Sequence, residues 1–284
     1  MPTYRELVRA AEKQCAQKGI PESTALLYML ELSEKERYDY YMCNEDEADR
    51  ELERAFLDGI ARILNHEPMN YVLGYSWFYG YRFVVDDRVL IPRPETEELV
   101  ANVLADIDEL FADYDEVVCA DVGTGSGAIA ITLAKEEPKL RMSASDISME
   151  ALQVARKNAE NIGVEINWMQ GDMAQPLVDA GMKLDVLVCN PPYIKNDEIL
   201  EESVKDYEPH VALFGGEDGL YFYRKVFEAA PKIMKPKSFM AFEMGWDQKE
   251  MMLKEVKKYF GDVRAEVLQD INGKDRMLFV YFNN

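Results

Sequence analysis

The sequence predicts an α/β fold: a mostly parallel sheet that finishes in an antiparallel strand pair, preceded by a small helical bundle. Three observations carry that reading. From Val117 onward, short apolar runs alternate with helical stretches, as in a parallel sheet covered on both faces. Near the end of the chain, two apolar runs flank Asn272-Gly273, a strong hairpin-turn signal. The first ~65 residues carry helical periodicity and almost no strand signal.

Taken in order, Tyr4, Leu7, Ala11 and Cys15 recur three or four residues apart until Gly19 supplies a stop. Pro21 opens a second helix through Ala25, Leu26, Met29 and Leu30. A third spans Asp46 to Asn65, with Leu52, Phe56, Ile60 and Leu64 one turn apart. Residues 1–74 thus read as a helical domain with an acidic outer surface, suited to partner recognition or to serving as a lid. Residues 75–94 read as a hairpin linker: Ser76–Val85 is aromatic and β-branched, Asp86-Asp87-Arg88 turns the chain, and Val89-Leu90-Ile91 returns. Thr96 is placed to cap a helix through Leu99, Val100 and Val103. Residues 95–284 form the larger domain. Its expected strands are Val117–Val122, Leu140–Ser145, Glu165–Gln170, Leu184–Cys189 and Ser238–Met244, then the antiparallel pair Ala265–Leu268 and Met277–Phe282. Such a sheet is the Rossmann-like outline of class I methyltransferases.

The composition narrows the function. With 284 residues the chain has room for roughly two domains, and 48% apolar residues exclude a mainly disordered protein. Against 53 acidic residues stand 32 Lys and Arg, a net charge of −21. So negative a surface repels phosphate backbones, which disfavours stable nucleic-acid binding and favours small molecules or a protein partner. No apolar run reaches the ~20 residues of a membrane span, and the N-terminus lacks a signal-peptide core. Cys15, Cys43, Cys119 and Cys189 form no Cys-x-x-Cys pair, and His66 and His210, the two histidines, are not spaced for a metal or a Ser-His-Asp arrangement. The expectation is a soluble, metal-free protein of the reducing cytoplasm, with no membrane partner.

Two motifs carry chemistry. Asp121-Val122-Gly123-Thr124-Gly125-Ser126-Gly127 follows the first strand of the larger domain and opens a helix at Ala128. Glycines there permit a tight turn and let backbone N–H groups approach a ligand at the helix N-terminus. Asp146, at the end of the next strand, can accept both hydroxyls of a ribose. The loop by itself fits NAD as well as S-adenosylmethionine.

Asn190-Pro191-Pro192-Tyr193, at the end of Leu184–Cys189, narrows the choice. It suits a planar NH₂ whose lone pair is delocalised. The Asn190 side-chain carbonyl and the Pro191 backbone carbonyl can accept its two hydrogens, orienting the nitrogen toward a sulfonium methyl. Proline stiffens the turn, and Tyr193 can stack on a flat amide or base. Catalysis would consist of positioning and desolvation, with no strong base required. The acceptor is then a protein amide or, alternatively, the exocyclic amine of adenine in nucleic acid. A nicotinamide oxidoreductase would leave Asn190–Tyr193 unexplained.

The chain resembles the HemK/PrmC family of protein-(glutamine-N5) methyltransferases, which modify class I peptide chain release factors. The resemblance spans nearly the whole chain: Glu67-Pro68, Phe78-Tyr79-Gly80, Ile91-Pro92-Arg93-Pro94-Glu95-Thr96-Glu97, the glycine loop, Asn190–Tyr193, Tyr207-Glu208-Pro209, Gly215-Gly216-x-Asp218-Gly219-Leu220 and Glu243-Met244-Gly245 with Gln248. It implies methyl transfer from S-adenosyl-L-methionine, giving S-adenosyl-L-homocysteine, to the glutamine of a Gly-Gly-Gln motif. By the same resemblance, Asp121 and Gly123, Thr124, Gly125, Ser126 and Gly127 wrap the methionine moiety, and Asp146 holds the ribose. Asp172 and Met173 flank the adenine, although the family often has an aromatic residue where Met173 stands. Asn190 touches cofactor and substrate, Pro191, Pro192 and Tyr193 complete the glutamine pocket, and Arg93 and Glu97 line the substrate channel. The helical domain helps grip the release factor.

Overall fold

The computed structural model describes residues 1–199 and 201–283, and they fall into two compact units. The helical unit holds α1 (Tyr4–Gln17), α2 (Ser23–Ser33), α3 (Arg37–Cys43), α4 (Arg50–Ile63), α5 (Met69–Leu73) and, from later in the chain, α10 (Glu202–Tyr207). Its start is a reciprocal cap: the Thr3 hydroxyl accepts from the Glu6 N–H at 3.2 Å, and the Glu6 carboxylate accepts from the Thr3 N–H at 2.9 Å. Helix α4 begins later than its periodicity suggests, because Asp49 caps it by accepting from the Leu52 N–H at 2.8 Å. The short α3 was not foreseen. Only Tyr40 of it is buried while Tyr38, Tyr41 and Met42 are exposed, so it writes no apolar stripe into the sequence. Leu7, Ala11, Cys15, Met29, Phe56 and Ile60 form the core of this unit.

The α/β unit opens with a hairpin, β1 (Tyr75–Phe78) and β2 (Tyr81–Val84). The hairpin turn lies at Tyr79-Gly80, where φ is +52° and +79°; two consecutive left-handed residues match the twist of a tight hairpin. Val89–Ile91 does not form the returning strand expected for it, since the ladder is already closed within 75–84. The chain continues through α6 (Pro94–Leu110), β3 (Val117–Val122), α7 (Ala128–Glu136), β4 (Leu140–Asp146), α8 (Met149–Ile162), β5 (Asn167–Gln170), α9 (Gln175–Asp179) and β6 (Leu184–Cys189). After α10 come α11 (Tyr221–Ile233), β7 (Met234–Glu243), α12 (Lys249–Phe260), β8 (Arg264–Gln269) and β9 (Asp275–Asn283). Helix α6 starts at Pro94, which suits a first helical position, so Thr96 sits within the first turn rather than capping it.

The seven strands pair in the order β5-β4-β3-β6-β7-β9-β8, parallel through β7 and antiparallel for β7–β9 and β9–β8. Alternation along each strand divides the core between the two faces. Cys119, Val186, Val188, Phe239 and Ala241 pack with α6 and α7 residues such as Leu99, Val103 and Ile131. Ala120, Val122, Leu187, Cys189 and Phe242 pack on the other face with Tyr223 and Phe227 of α11 and Met252 of α12. The strand order reverses between β3 and β6, so a crevice forms at their C-terminal ends, where ligands bind in open α/β sheets.

Candidate active site

Four strand ends converge on that crevice: the glycine loop follows β3, Asp146 ends β4, Asn190 follows β6 and Glu243 ends β7. The glycine loop is fixed through its own main-chain N–H and C=O groups. The Gly123 and Thr124 N–H groups donate to the Ser145 carbonyl at 2.8 and 3.0 Å. Asp146 accepts from the Gly125 N–H at 2.9 Å and from the Ser148 N–H at 2.8 Å, which offsets the burial that raises its pKa. Gly127 has φ +82°, a left-handed conformation that strains any side chain, and a Cβ there would also crowd the Ala155 Cβ at 3.1 Å, so the position favours glycine. Buried Asn158 of α8 binds the loop to the hairpin: its amide donates to the Ser126 carbonyl at 2.9 Å and the Val84 carbonyl at 3.0 Å, and its carbonyl accepts from the Val84 N–H at 2.7 Å.

A cavity of about 180 Å³ opens beside this loop. Gly123, Gly125, Asp146, Asp172, Met173, Asn190 and Pro192 border it, gathering candidates from four separate segments. A Cβ built at Gly123 or Gly125 would meet nothing within 4 Å, so both glycines leave space on the cavity side. With the carboxylates of Asp146 and Asp172, the cations of Arg88 and Lys225, and apolar side chains such as Leu90, Met173 and Phe222 around it, this cradle fits a nucleoside carrying a small amino-acid moiety. The Asp172 carboxylate forms an ion pair with Lys225, whose ammonium lies 4.8 Å from the Tyr221 ring centre. Met173 has φ +51°, and its carbonyl accepts from the Ser145 hydroxyl at 2.9 Å.

Other candidates stand away from the cavity. Asp121 is fully buried beneath the loop, where its Oδ2 accepts from the Thr124 hydroxyl at 2.6 Å while Oδ1 has no partner; burial pushes its pKa up to about 7. Thr124, Ser126, Gly127, Pro191 and Tyr193 do not border the cavity, and neither do Arg93 and Glu97. Arg93 pairs at 2.5 Å with Glu208, whose side chain is only 2% exposed. Glu97 accepts from the Tyr79 N–H at 2.8 Å, closing the hairpin turn.

The Asn190–Tyr193 turn is held by side chains instead. The Asn190 NH₂ donates to Glu243 Oε2 at 3.0 Å and to Thr96 Oγ1 at 3.2 Å. The Thr96 hydroxyl donates to the same Glu243 oxygen at 2.5 Å, and the Tyr193 hydroxyl donates to Glu243 Oε1 at 3.1 Å. Burial raises the pKa of Glu243, opposed by these hydroxyls and by the nearby Arg276 guanidinium. Burial, together with the Glu243 charge, also raises that of Tyr193, which keeps the phenol neutral. Gln248 ties the turn to the loop after Phe214, donating to the Tyr193 carbonyl at 3.1 Å and the Gly219 carbonyl at 3.4 Å. A Cβ at Gly215 would fall 2.5 Å from the Pro192 carbonyl oxygen, so the Gly-Gly segment is the close-packed floor of this turn.

Several site residues carried no signal of a role that a sequence reading could use. Val211 and Phe222 border the cavity from a loop and a helix start with no motif of their own, while Ile147 and Ser148 lie in the Ser145–Ser148 segment that shares the family resemblance and Val89 and Leu90 in a segment expected to be a strand, none of them with a role assigned. Asn158 looks like any polar helix residue until its partner at Val84, 74 positions away, is known. Glu243 lies in a segment singled out by resemblance, without a role. Among the described residues, no cluster of His, Cys, Asp or Glu is placed to hold a metal, and no helix is long and apolar enough to cross a membrane.

A central glycine loop, a parallel sheet and an antiparallel end pair together define a class I methyltransferase. Solved structures agree at the level of fold: a methyltransferase from Pyrococcus furiosus superposes with TM-score 0.52 at 17% identity, covering 79% of this chain and 98% of that one. The delta-N METTL16 MTase domain gives 0.53 at 19%, covering 72% and 90%. Residues 102–208 match the family described as "Methyltransferase small domain", and residues 6–74 match "PrmC N-terminal domain". The release factor glutamine methyltransferase of Bacillus subtilis (strain 168) is 41% identical over 280 residues, covering 98% of this chain and 97% of its own. That of Staphylococcus aureus (strain NCTC 8325 / PS 47) is 36% identical over 280 residues, covering 98% and 99%. At such identity over both whole lengths, the chain belongs to the release factor glutamine methyltransferase family.

Proposed function

We propose that this chain transfers a methyl group from S-adenosyl-L-methionine to the side-chain amide nitrogen of the glutamine in the Gly-Gly-Gln motif of class I peptide chain release factors. Family membership supports the reaction and the partner, and such a partner puts the reaction in the cytoplasm. The observation that carries the chemistry is the Asn190 amide, whose NH₂ is committed to Glu243 and Thr96 and whose carbonyl is thereby turned away from them.

When bound, S-adenosylmethionine supplies an electrophilic methyl group on a sulfonium sulfur. Gly123 and Gly125 leave room for its methionine portion, the remaining lone pairs of Asp146 accept from its ribose hydroxyls, and Asp172 and Met173 flank its adenine. Asn190 Oδ1 and the Pro191 carbonyl accept the two hydrogens of the glutamine NH₂, which aims the nitrogen and enriches it in electron density. Pro192 and Tyr193 enclose the flat amide and exclude water. The methyl transfer leaves S-adenosylhomocysteine, and the amide nitrogen releases its surplus proton to solvent after the transfer, so no strong base is needed beforehand. The helical unit serves as the surface that recognises the release factor.

Labelled S-adenosylmethionine offered with a purified release factor and, in parallel, with duplex DNA tests this. Label on the glutamine of the Gly-Gly-Gln segment is expected; label on DNA alone would replace the proposal with adenine methylation.

A further inference from the structure

A side-chain amide has two ends of nearly equal size and opposite chemistry, so shape alone does not decide which end Asn190 shows to the acceptor. Hydrogen-bond partners decide it, and here both are acceptors. A carboxylate oxygen can only accept, and Thr96 has spent its one proton on Glu243 at 2.5 Å, so Thr96 Oγ1 faces Asn190 as an acceptor as well. A reversed Asn190 would set its carbonyl against two acceptors and its NH₂ against the NH₂ of the substrate.

Resting on the glutamine-methylation reading, we propose that Glu243, seated by Thr96, is the positioning residue of this reaction: it fixes the end of the Asn190 amide that meets the acceptor glutamine.

The fold places Glu243 for that task. Cys189 of β6 is in register with Phe242 of β7, so Asn190 and Glu243 follow side by side at the ends of two parallel strands. Thr96 reaches the pair from the first turn of α6, whose N-terminus favours the buried negative charge. Tyr193 holds the second carboxylate oxygen and the Tyr223 hydroxyl donates to the Glu243 backbone carbonyl at 2.7 Å. One carboxylate therefore fixes both polar ends of the Asn190–Tyr193 turn, and proton donors occupy both of its oxygens.

The test separates aiming from folding. Thr96→Val keeps the shape and removes the hydroxyl, and Thr96→Ser restores it. Thr96→Val is expected to lower kcat roughly tenfold while KM for the release factor, the cofactor Kd and the melting temperature stay near wild type, with Thr96→Ser recovering most of kcat. Glu243→Ala is expected to lower kcat roughly a hundredfold; the Thr96 pair carries the test if that variant does not fold. Full kcat in Thr96→Val overturns the proposal. So does a loss that Thr96→Ser leaves uncorrected, or one that tracks a fall in melting temperature or cofactor affinity. A wild-type enzyme that methylates no glutamine overturns the functional reading instead, and is told apart because it needs no variant.

Discussion

The glycine loop and the Asn190–Tyr193 turn sit at neighbouring strand ends yet are stiffened by different means. The loop is held through its own main-chain groups, which bond to the Ser145 carbonyl, the Asp146 carboxylate and the Asn158 amide, and by the absence of side chains at three glycines. The turn is held by side chains that arrive from Thr96, Glu243 and Gln248. The first device makes space and presents backbone donors, as a bound nucleoside requires. The second orients one amide, which calls for side-chain groups of a chosen donor or acceptor character. Cofactor binding and acceptor orientation should therefore fail independently when one region or the other is damaged.

The largest effect expected is on the turn. Asn190→Ala should lower methyl-transfer turnover by roughly a thousandfold, comparable to losing a preorganised polar group at a reacting centre, with the protein still folded by its melting curve. Turnover near wild type would break the contrast between the two regions. On the loop side, Asp146→Ala should weaken cofactor binding by roughly ten- to a hundredfold by removing a charged acceptor. Titration calorimetry checks this, and unchanged affinity would remove Asp146 from the ribose role. Asn158→Ala strips the loop of its tie to Val84 and should destabilise the protein by about 2–4 kcal/mol, since it leaves buried backbone groups unpaired; denaturant unfolding measures it.

A last effect concerns pH. Burial raises the pKa of Asp121 from 3.8 to about 7, so the folded state holds this proton more tightly than the unfolded state. Stability is therefore greatest on this account below pH ~4 and declines as pH rises toward ~7, because the buried carboxyl must ionise. Asp121→Asn should remove that decline, so its melting temperature should gain on wild type between those limits. Parallel melting curves would show that Asp121 is already ionised in a solvated or paired state.

The same contrast explains how far the sequence could be read. The glycine loop is contiguous and Asp146 lies one strand–helix–strand step away, so local patterning exposes both. Strands Val117–Val122 and Leu184–Cys189 were legible to the residue because they are short runs between helices, apolar except for one aspartate each, Asp121 and Asp185. Glu243 and Thr96 were not, since the bonds that give them meaning span 53 and 94 positions and neither residue type announces its partner. Thr96 even resembles a helix cap until Pro94 is seen to start the helix. The hairpin turn was misplaced for a related reason: Tyr79 adopts φ +52°, a conformation that tyrosine does not advertise.

The most direct test is a crystal structure with S-adenosylhomocysteine and a release factor bound. The account predicts the glutamine Nε2 within about 3 Å of Asn190 Oδ1, with the Asn190 NH₂ still on Glu243. A glutamine nitrogen held by other groups, or an Asn190 amide turned away from Glu243, would contradict it.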